Sequence, residues 1–304
     1  MHIKNAFQAH SIGFGGASIS GEGKGYGFGP ISETNSIDLL NESLEKGIKV
    51  FDTAPIYGFG TSEVRMGKAF AKCREEVFIC SKGGITWDQN KRVDIDNSPQ
   101  TIRRMLESSL KSLDSDYIDL YMIHWPDPRS DIRRAIEVLA RAKEKGKINH
   151  IGLCNTNQED FLKAQEIEKI EVLQSEFNLF NKPEILEQIK DQIYFMGWGT
   201  LDKGIISGRV TLGRTFDPLD ARSWAPWWKK SPKNQKIEKM KKVLSFLKEK
   251  GHSGTELALA YNNSFSKLSL SLVGFRNSQQ LDSLLKSFDN LPTSEIIDEA
   301  IQLL

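Results

Sequence analysis

The sequence predicts an α/β chain folded as one (β/α)8 barrel of the TIM type, and three observations carry that expectation. Short β-branched or aromatic runs alternate with longer amphipathic stretches, and eight strand candidates emerge from the alternation. The crossovers between runs are long enough to bring successive strands parallel. No proline- or glycine-rich linker divides the 304 residues, so all units belong to a single domain, 1–304.

The elements follow in order. Ile12–Gly15 is the first strand candidate. SETNSIDLLNESLEKG, 32–47, reads as a helix with Ile37, Leu40 and Leu44 on its apolar face and Gly47 as its stop. KVFD, 49–52, is the second strand, Ser62 to about Ala71 a helix, and EVFICSK, 76–82, the third strand. Ser98-Pro99 opens a helix that runs through Met105, Ser109 and Leu113. The fourth strand is YIDLYMIH, 117–124, and its helix, 133–146, closes on Gly146. A fifth strand, 150–153, precedes Asn157, a cap with acidic residues in the first turn behind it. Strand six is 172–177, a helix spans Pro183–Lys190, and strand seven is 192–197. Strand eight, 267–274, leads into a helix from about Ser278 to Phe288. The lysine-rich 236–251 has Ile237, Met240, Leu244 and Leu247 along one side, so its lysines form a solvated face rather than a nucleic-acid surface.

Two connections, 15–31 and 209–235, exceed ordinary loop length, a feature of functional loops. The first holds GEGKGYGFG at 21–29, which matches neither the P-loop nor the G-x-G-x-x-G spacing. It reads as a flexible edge, and the phosphate grip of any cofactor must lie elsewhere.

Composition narrows the function. A formal net charge of +1 gives no overall field for nucleic acid or an anionic membrane. No apolar run reaches membrane-spanning length, and the first residues lack a secretory pattern. Cys73, Cys80 and Cys154 make neither a disulfide framework nor a metal site, which points to a reducing, cytoplasmic setting.

Polar residues at strand ends then need a reason, because a barrel interior packs with branched side chains. Strand two ends at Asp52, strand three at Lys82 and strand four at His124, with Tyr57 just beyond the second. An ammonium favours a phenolate, so Lys82 is expected to lower the Tyr57 phenol, while Asp52 keeps Lys82 protonated. His124 can donate to a substrate oxygen. The set suits delivery of a proton to an oxygen on which negative charge develops, and it is poor zinc ligation.

The chain resembles the aldo-keto reductase family. The likeness rests on GFGG near residue 13, DTAPIYGFGTSE at 52–63, ICSKGG at 79–84 and DLYMIHWPD at 119–127. It continues through HIGLCN at 150–155, LQSEFN at 173–178, GTLDKGIISG at 199–208 and VGFRNSQQL at 273–281. The resemblance implies a barrel that reduces a small-molecule carbonyl with NADPH, or NADH, using the 4-pro-R hydrogen. It makes Tyr57 the general acid, Asp52 and Lys82 its supporting pair, and His124 the group that orients the carbonyl.

It also places Cys154 (often serine in the family), Asn155 and Gln174 near the nicotinamide carboxamide and Trp198 against the ring. The diphosphate falls near Leu201, Lys203 and Ile205, and the adenosine phosphate near Gly274, Phe275, Arg276, Asn277 and Gln280. Ser283 and Leu284 depart from the family's frequent Glu-Asn pair for adenine. Trp87, Trp125, Trp224, Trp227 and Trp228 are the candidates for substrate-pocket walls. The alternatives left open are physiological oxidation of an alcohol or sugar, and a cofactor-binding regulatory or assembly subunit with little turnover. Substrate identity and oligomeric state are not legible.

Overall fold

The computed structural model describes residues 1–21, 25–188, 193–267 and 269–304. At its centre is a closed barrel of eight parallel strands. These are β1 (Ile12–Gly15), β2 (Val50–Asp52), β3 (Phe78–Gly83), β4 (Ile118–Ile123), β5 (Ile148–Cys154), β6 (Val172–Glu176), β7 (Tyr194–Trp198) and β8 (Leu270–Val273). Chain neighbours are barrel neighbours, and β8 closes on β1 through Ile12↔Ser271 and Phe14↔Val273. Every expected strand is present. Gln192 and Leu268, counted within two of them, lie outside the described residues, as do Glu22, Gly23 and Lys24 of the glycine-rich run. So do Ile189 and Lys190 of the helix expected at 183–190, whose described part, Glu184–Gln188, is a 3-10 stretch.

Alternation along each strand decides what faces inward. Val50, Phe78, Leu120, Val172 and Leu270, from the amino-terminal halves of their strands, pack in one cluster with Cys80, Met122, Cys154, Met196 and Leu272. A short helix absent from the sequence-based reading, Ile3–Ala9, presses Ile3, Ala6 and Phe7 into this cluster. The Phe7 ring stands 5.7 Å from Phe78 and 5.1 Å from Tyr194, which seals that end. β1 contributes Gly13, where a Cβ would stand 2.9 Å from Leu270 Cδ2, so its neighbours fill the interior instead. Continued toward the carboxyl ends, the same inward rows reach Asp52, Lys82, His124, Cys154, Gln174 and Trp198. The polar rim is the apolar interior carried on by steps of two.

Residues of opposite parity, such as Phe51, Ile79, Tyr121, Ile151 and Phe195, meet the surrounding helices in a second cluster. In Glu33–Glu45 the buried face is Ser36, Leu39, Leu40 and Ser43, with Ile37 and Leu44 only partly covered. The expected stripe is thus rotated. The serines tolerate burial because their hydroxyls donate to Ser32 O at 2.8 Å and Leu39 O at 2.6 Å.

After β3 comes a hairpin of Ile85–Trp87 and Val93–Ile95, also unanticipated. Within 209–235 the chain forms two short helices, Ala221–Trp224 and Pro226–Lys229. Helix Lys233–Glu249 then turns Ile237, Met240, Val243 and Leu247 inward and leaves Lys239, Lys241, Lys242 and Lys248 to solvent, while Lys236 is half-buried and pairs with Asp202 at 2.7 Å. The first long loop meets the late one: Ala221 N donates to Gly27 O at 2.8 Å, and Phe28 bridges to Asp220.

Candidate active site

Lys82 is the centre of the rim. Fully buried at the end of β3, its Nζ lies 2.7 Å from both carboxylate oxygens of Asp52 and donates to Thr53 O at 2.9 Å. The two strands sit side by side with Asp52 paired to Cys80, which sets the reach between the charges. Tyr57 lies five residues after Asp52, on the turn that follows β2, and its ring centroid is 5.3 Å from Lys82 Nζ. The His124 ring meets Tyr57 edge-on at 5.9 Å. Asp52 and Tyr57 from β2 and its turn, Lys82 from β3 and His124 from the end of β4 therefore converge.

Their electrostatics follow from burial. Burial raises the Tyr57 phenol, and the opposing pull of Lys82 leaves it at about 12. The expected net lowering is reversed, because the site is dry and its ammonium is shared with Asp52. Burial works against the Lys82 ammonium too, but Asp52 and then Tyr57 carry it above its usual value, so it stays charged. Burial, and next the Lys82 charge, hold His124 well below its usual value. The imidazole is neutral, with one N–H to give.

Beside this group runs a chain of hydrogen bonds. Trp198 Nε1 donates to Asn155 Oδ1 at 3.1 Å, and Asn155 Nδ2 donates to Cys154 Sγ at 3.1 Å and His124 O at 3.2 Å. Cys154 Sγ, its thiol pushed up to about 12 by burial, donates to Gln174 Oε1 at 3.2 Å. Gln174 Nε2 donates to Asp52 Oδ1 at 2.8 Å. A carboxylate only accepts, so Asp52 fixes which end of the Gln174 amide faces it. The sequence named all these residues but not this last link.

The remaining candidates are less free than the sequence implied. Leu201 packs among apolar side chains, close to Ile205. Lys203 is paired with Glu176 and, at 3.2 Å, with Asp202, and its Nζ lies 5.4 Å from the Trp198 ring centroid. After β8, Phe275 is buried and edge-on to Phe14 at 4.8 Å. A Cβ at Gly274 would stand 3.1 Å from Ser18 Cβ. Asn277 Oδ1 accepts from Gln280 N at 2.9 Å, capping helix Ser278–Lys286, and Gln280 Oε1 accepts from Arg276 N at 3.0 Å. The Arg276 guanidinium reaches the first loop, donating to Phe28 O at 2.7 Å and to Pro30 O.

The five tryptophans named as pocket walls differ in their surroundings. Trp87 stands 5.1 Å from Phe59, in the small cluster that includes Tyr26 and Tyr57. Trp125, directly after His124, is 43% exposed. Trp224 packs on Tyr26 at 5.5 Å, and Trp227 lies 6.0 Å from Lys203 Nζ. Trp228 is a correction: it is buried in the cluster under helix Lys233–Glu249, edge-on to Phe216 at 5.8 Å, and anchors its loop.

Two residues escaped the sequence reading. Arg222 pairs with Asp220 at 2.6 Å and donates to Lys203 O at 2.8 Å, tying the late loop to the exit of β7. Glu63, 1% exposed, accepts from Ser81 Oγ at 2.6 Å just behind Lys82. Among the described residues no group of three or more His, Cys, Asp or Glu is placed to hold a metal ion. No helix among them is long and apolar enough to cross a membrane.

A family model described as the aldo/keto reductase family matches residues 11–301. The chain is 30% identical to an aldo-keto reductase of Bacillus subtilis (strain 168), YhdN, over 97% of this chain and 92% of that protein. It is 30% identical to the NADH-specific methylglyoxal reductase of Escherichia coli (strain K12) over 73% of this chain and 70% of that one. Among solved structures, a glycerol dehydrogenase from Gluconobacter oxydans aligns with TM-score 0.80 at 26% identity, over 97% of this chain and 91% of that chain. An aldo-keto reductase from Bacillus halodurans, at 22% identity and TM-score 0.77 over 96% and 91%, shares the fold.

Proposed function

The chain belongs to the aldo/keto reductase family, and from that premise we propose that it reduces an aldehyde or ketone to an alcohol with NADPH, or with NADH. The observation that carries the reading is the Lys82 ammonium held between the Asp52 carboxylate and the Tyr57 ring, beside a neutral His124.

The rim residues fit a nicotinamide dinucleotide. Trp198 offers an aromatic face, Asn155 and Gln174 carry amides, and Arg276 has a buried Nε without a partner at the exit of β8. When bound, the reduced nicotinamide supplies the hydride. The chain's own part is to receive the carbonyl oxygen at the Tyr57 hydroxyl and the His124 N–H, and to give it the Tyr57 proton. A phenol raised to about 12 is fully loaded at neutral pH. An alkoxide is a stronger base than a tyrosinate, so the transfer still runs downhill. The phenolate left behind forms next to Lys82, which stabilises it, and Asp52 with Gln174 keeps Lys82 in place.

The names of the relatives agree with this chemistry in both directions: one is a methylglyoxal reductase and one a glycerol dehydrogenase. The first is also named NADH-specific, which favours keeping NADH as a second cofactor. The test is Tyr57→Phe against a panel of aldehydes and ketones, read by NADPH and NADH absorbance. Cofactor binding is expected to persist while kcat falls by about 10²-fold or more. Turnover equal to the unmodified chain removes Tyr57 as the proton donor.

A further inference from the structure

Arg276 is half-buried, and its guanidinium is held by neutral atoms. Nη1 donates to Phe28 O at 2.7 Å, Nη2 donates to Pro30 O, and the buried Nε has no partner. Among the described residues no carboxylate lies within ion-pair distance of it. The charges that act on it are Asp220, Arg222 and Asp217, and Asp220 is already bound by Arg222 through Nε at 3.0 Å and Nη2 at 2.6 Å. A guanidinium covered by protein and without an anion is an unmet demand, because its bonds to an anion are roughly twice as strong as those to a carbonyl.

What holds it is the first long loop. Gly29, at φ +96°, turns the carbonyls of Phe28 and Pro30 toward Arg276, and the loop is stapled onward by Ala221 N–H to Gly27 O at 2.8 Å. The same two-pronged grip on one guanidinium is what an oxyanion would take.

We propose that the Phe28 and Pro30 carbonyls compete with a phosphate for Arg276, so that the first loop sets the preference for an adenosine carrying a ribose phosphate and is loosened when one binds. The inference rests on the nicotinamide-cofactor reading above. A dinucleotide without that phosphate leaves the grip intact; one with it breaks the grip and is charged the cost of doing so. Cofactor preference then depends on the strength of a loop contact as well as on Arg276.

The probes are adenosine 2′,5′-bisphosphate, 5′-AMP and inorganic phosphate, titrated calorimetrically into the full chain and into Gly29→Ala and Arg276→Met. In the unmodified chain the bisphosphate is expected to bind at least tenfold tighter than 5′-AMP. Arg276→Met erases that ratio. Gly29→Ala places a Cβ 3.4 Å from Arg276 Nη1 on a backbone that disfavours it. It loosens the grip and raises the ratio at least threefold. In a second measurement, hydrogen exchange at the Ala221 amide quickens with saturating bisphosphate, stays unchanged with 5′-AMP or inorganic phosphate, and is already fast in Arg276→Met. A ratio in Gly29→Ala at or below that of the unmodified chain, or an Ala221 amide slowed by the bisphosphate, overturns the proposal. If the bisphosphate shows no advantage while NADH still drives carbonyl reduction, the loop competition falls and the enzymatic reading stands. If no dinucleotide binds, both fall.

Discussion

Replacing Glu63 by glutamine isolates the effect of one buried acid on stability. Glu63 sits in helix Thr61–Phe70, 1% exposed, against β3. Burial, opposed by the Ser81 hydrogen bond and the Lys82 charge, raises its carboxyl from 4.5 to about 7. The folded state therefore binds this proton more tightly than the unfolded chain does. Stability is unaffected by the shift below pH 4.5, falls as pH rises toward 7, and is lower by a constant amount above that. At about 1.4 kcal/mol per unit, the full loss is about 3 kcal/mol, of which about 2 kcal/mol falls between pH 5.5 and 8.5.

Glutamine keeps an oxygen for Ser81 and offers its amide hydrogens to Tyr121, whose hydroxyl is buried without a partner and senses the Glu63 charge. Glu63→Gln should gain about 2 kcal/mol over the unmodified chain on going from pH 5.5 to 8.5, read by urea denaturation with circular dichroism. Identical pH dependence of the two proteins would mean that Glu63 is not a buried titrating acid, and the argument from its burial fails.

Two further expectations concern the rim and its loops. Gln174→Leu leaves the Cys154 thiol without its acceptor and takes from Asp52 Oδ1 one of its two donors, Lys82 being the other, in a buried place, a cost of about 1–3 kcal/mol. Turnover should drop with it, and a variant as stable and active as the original would break the chain from Cys154 to Asp52. Trp228→Ala should lower stability by about 3 kcal/mol while KM changes less than threefold, because the ring anchors its loop; a large KM change returns it to the substrate pocket.

Asp52, Lys82 and His124 were legible because each is a polar break in an apolar run at the point where a strand must end, and strand periodicity carries them inward. Glu63 was not. An acid in the first turn of a helix ordinarily faces water, and nothing in T-S-E tells that this turn is pressed onto β3. Arg276 was visible as a cation but not as a bound one, since Pro30 O, which it grips, is a backbone atom 246 residues away in sequence. Trp228 misled because indoles look alike in a sequence, and only the packing of helix Lys233–Glu249 separates an anchor from a wall. Helix Ile3–Ala9 is seven residues long, too short for its periodicity to be distinguished from a strand's.

The seam between Ile12 and Ser271 has a consequence for how the molecule comes into being. A growing chain that has not yet delivered Leu270–Val273 carries two raw edges, β1 and β7, each a template for pairing with a stranger. The ring locks only when nearly the whole polypeptide is in hand, so assembly should be slow and prone to clumping when crowded, and its last hydrogen bonds should be the ones that complete the mouth.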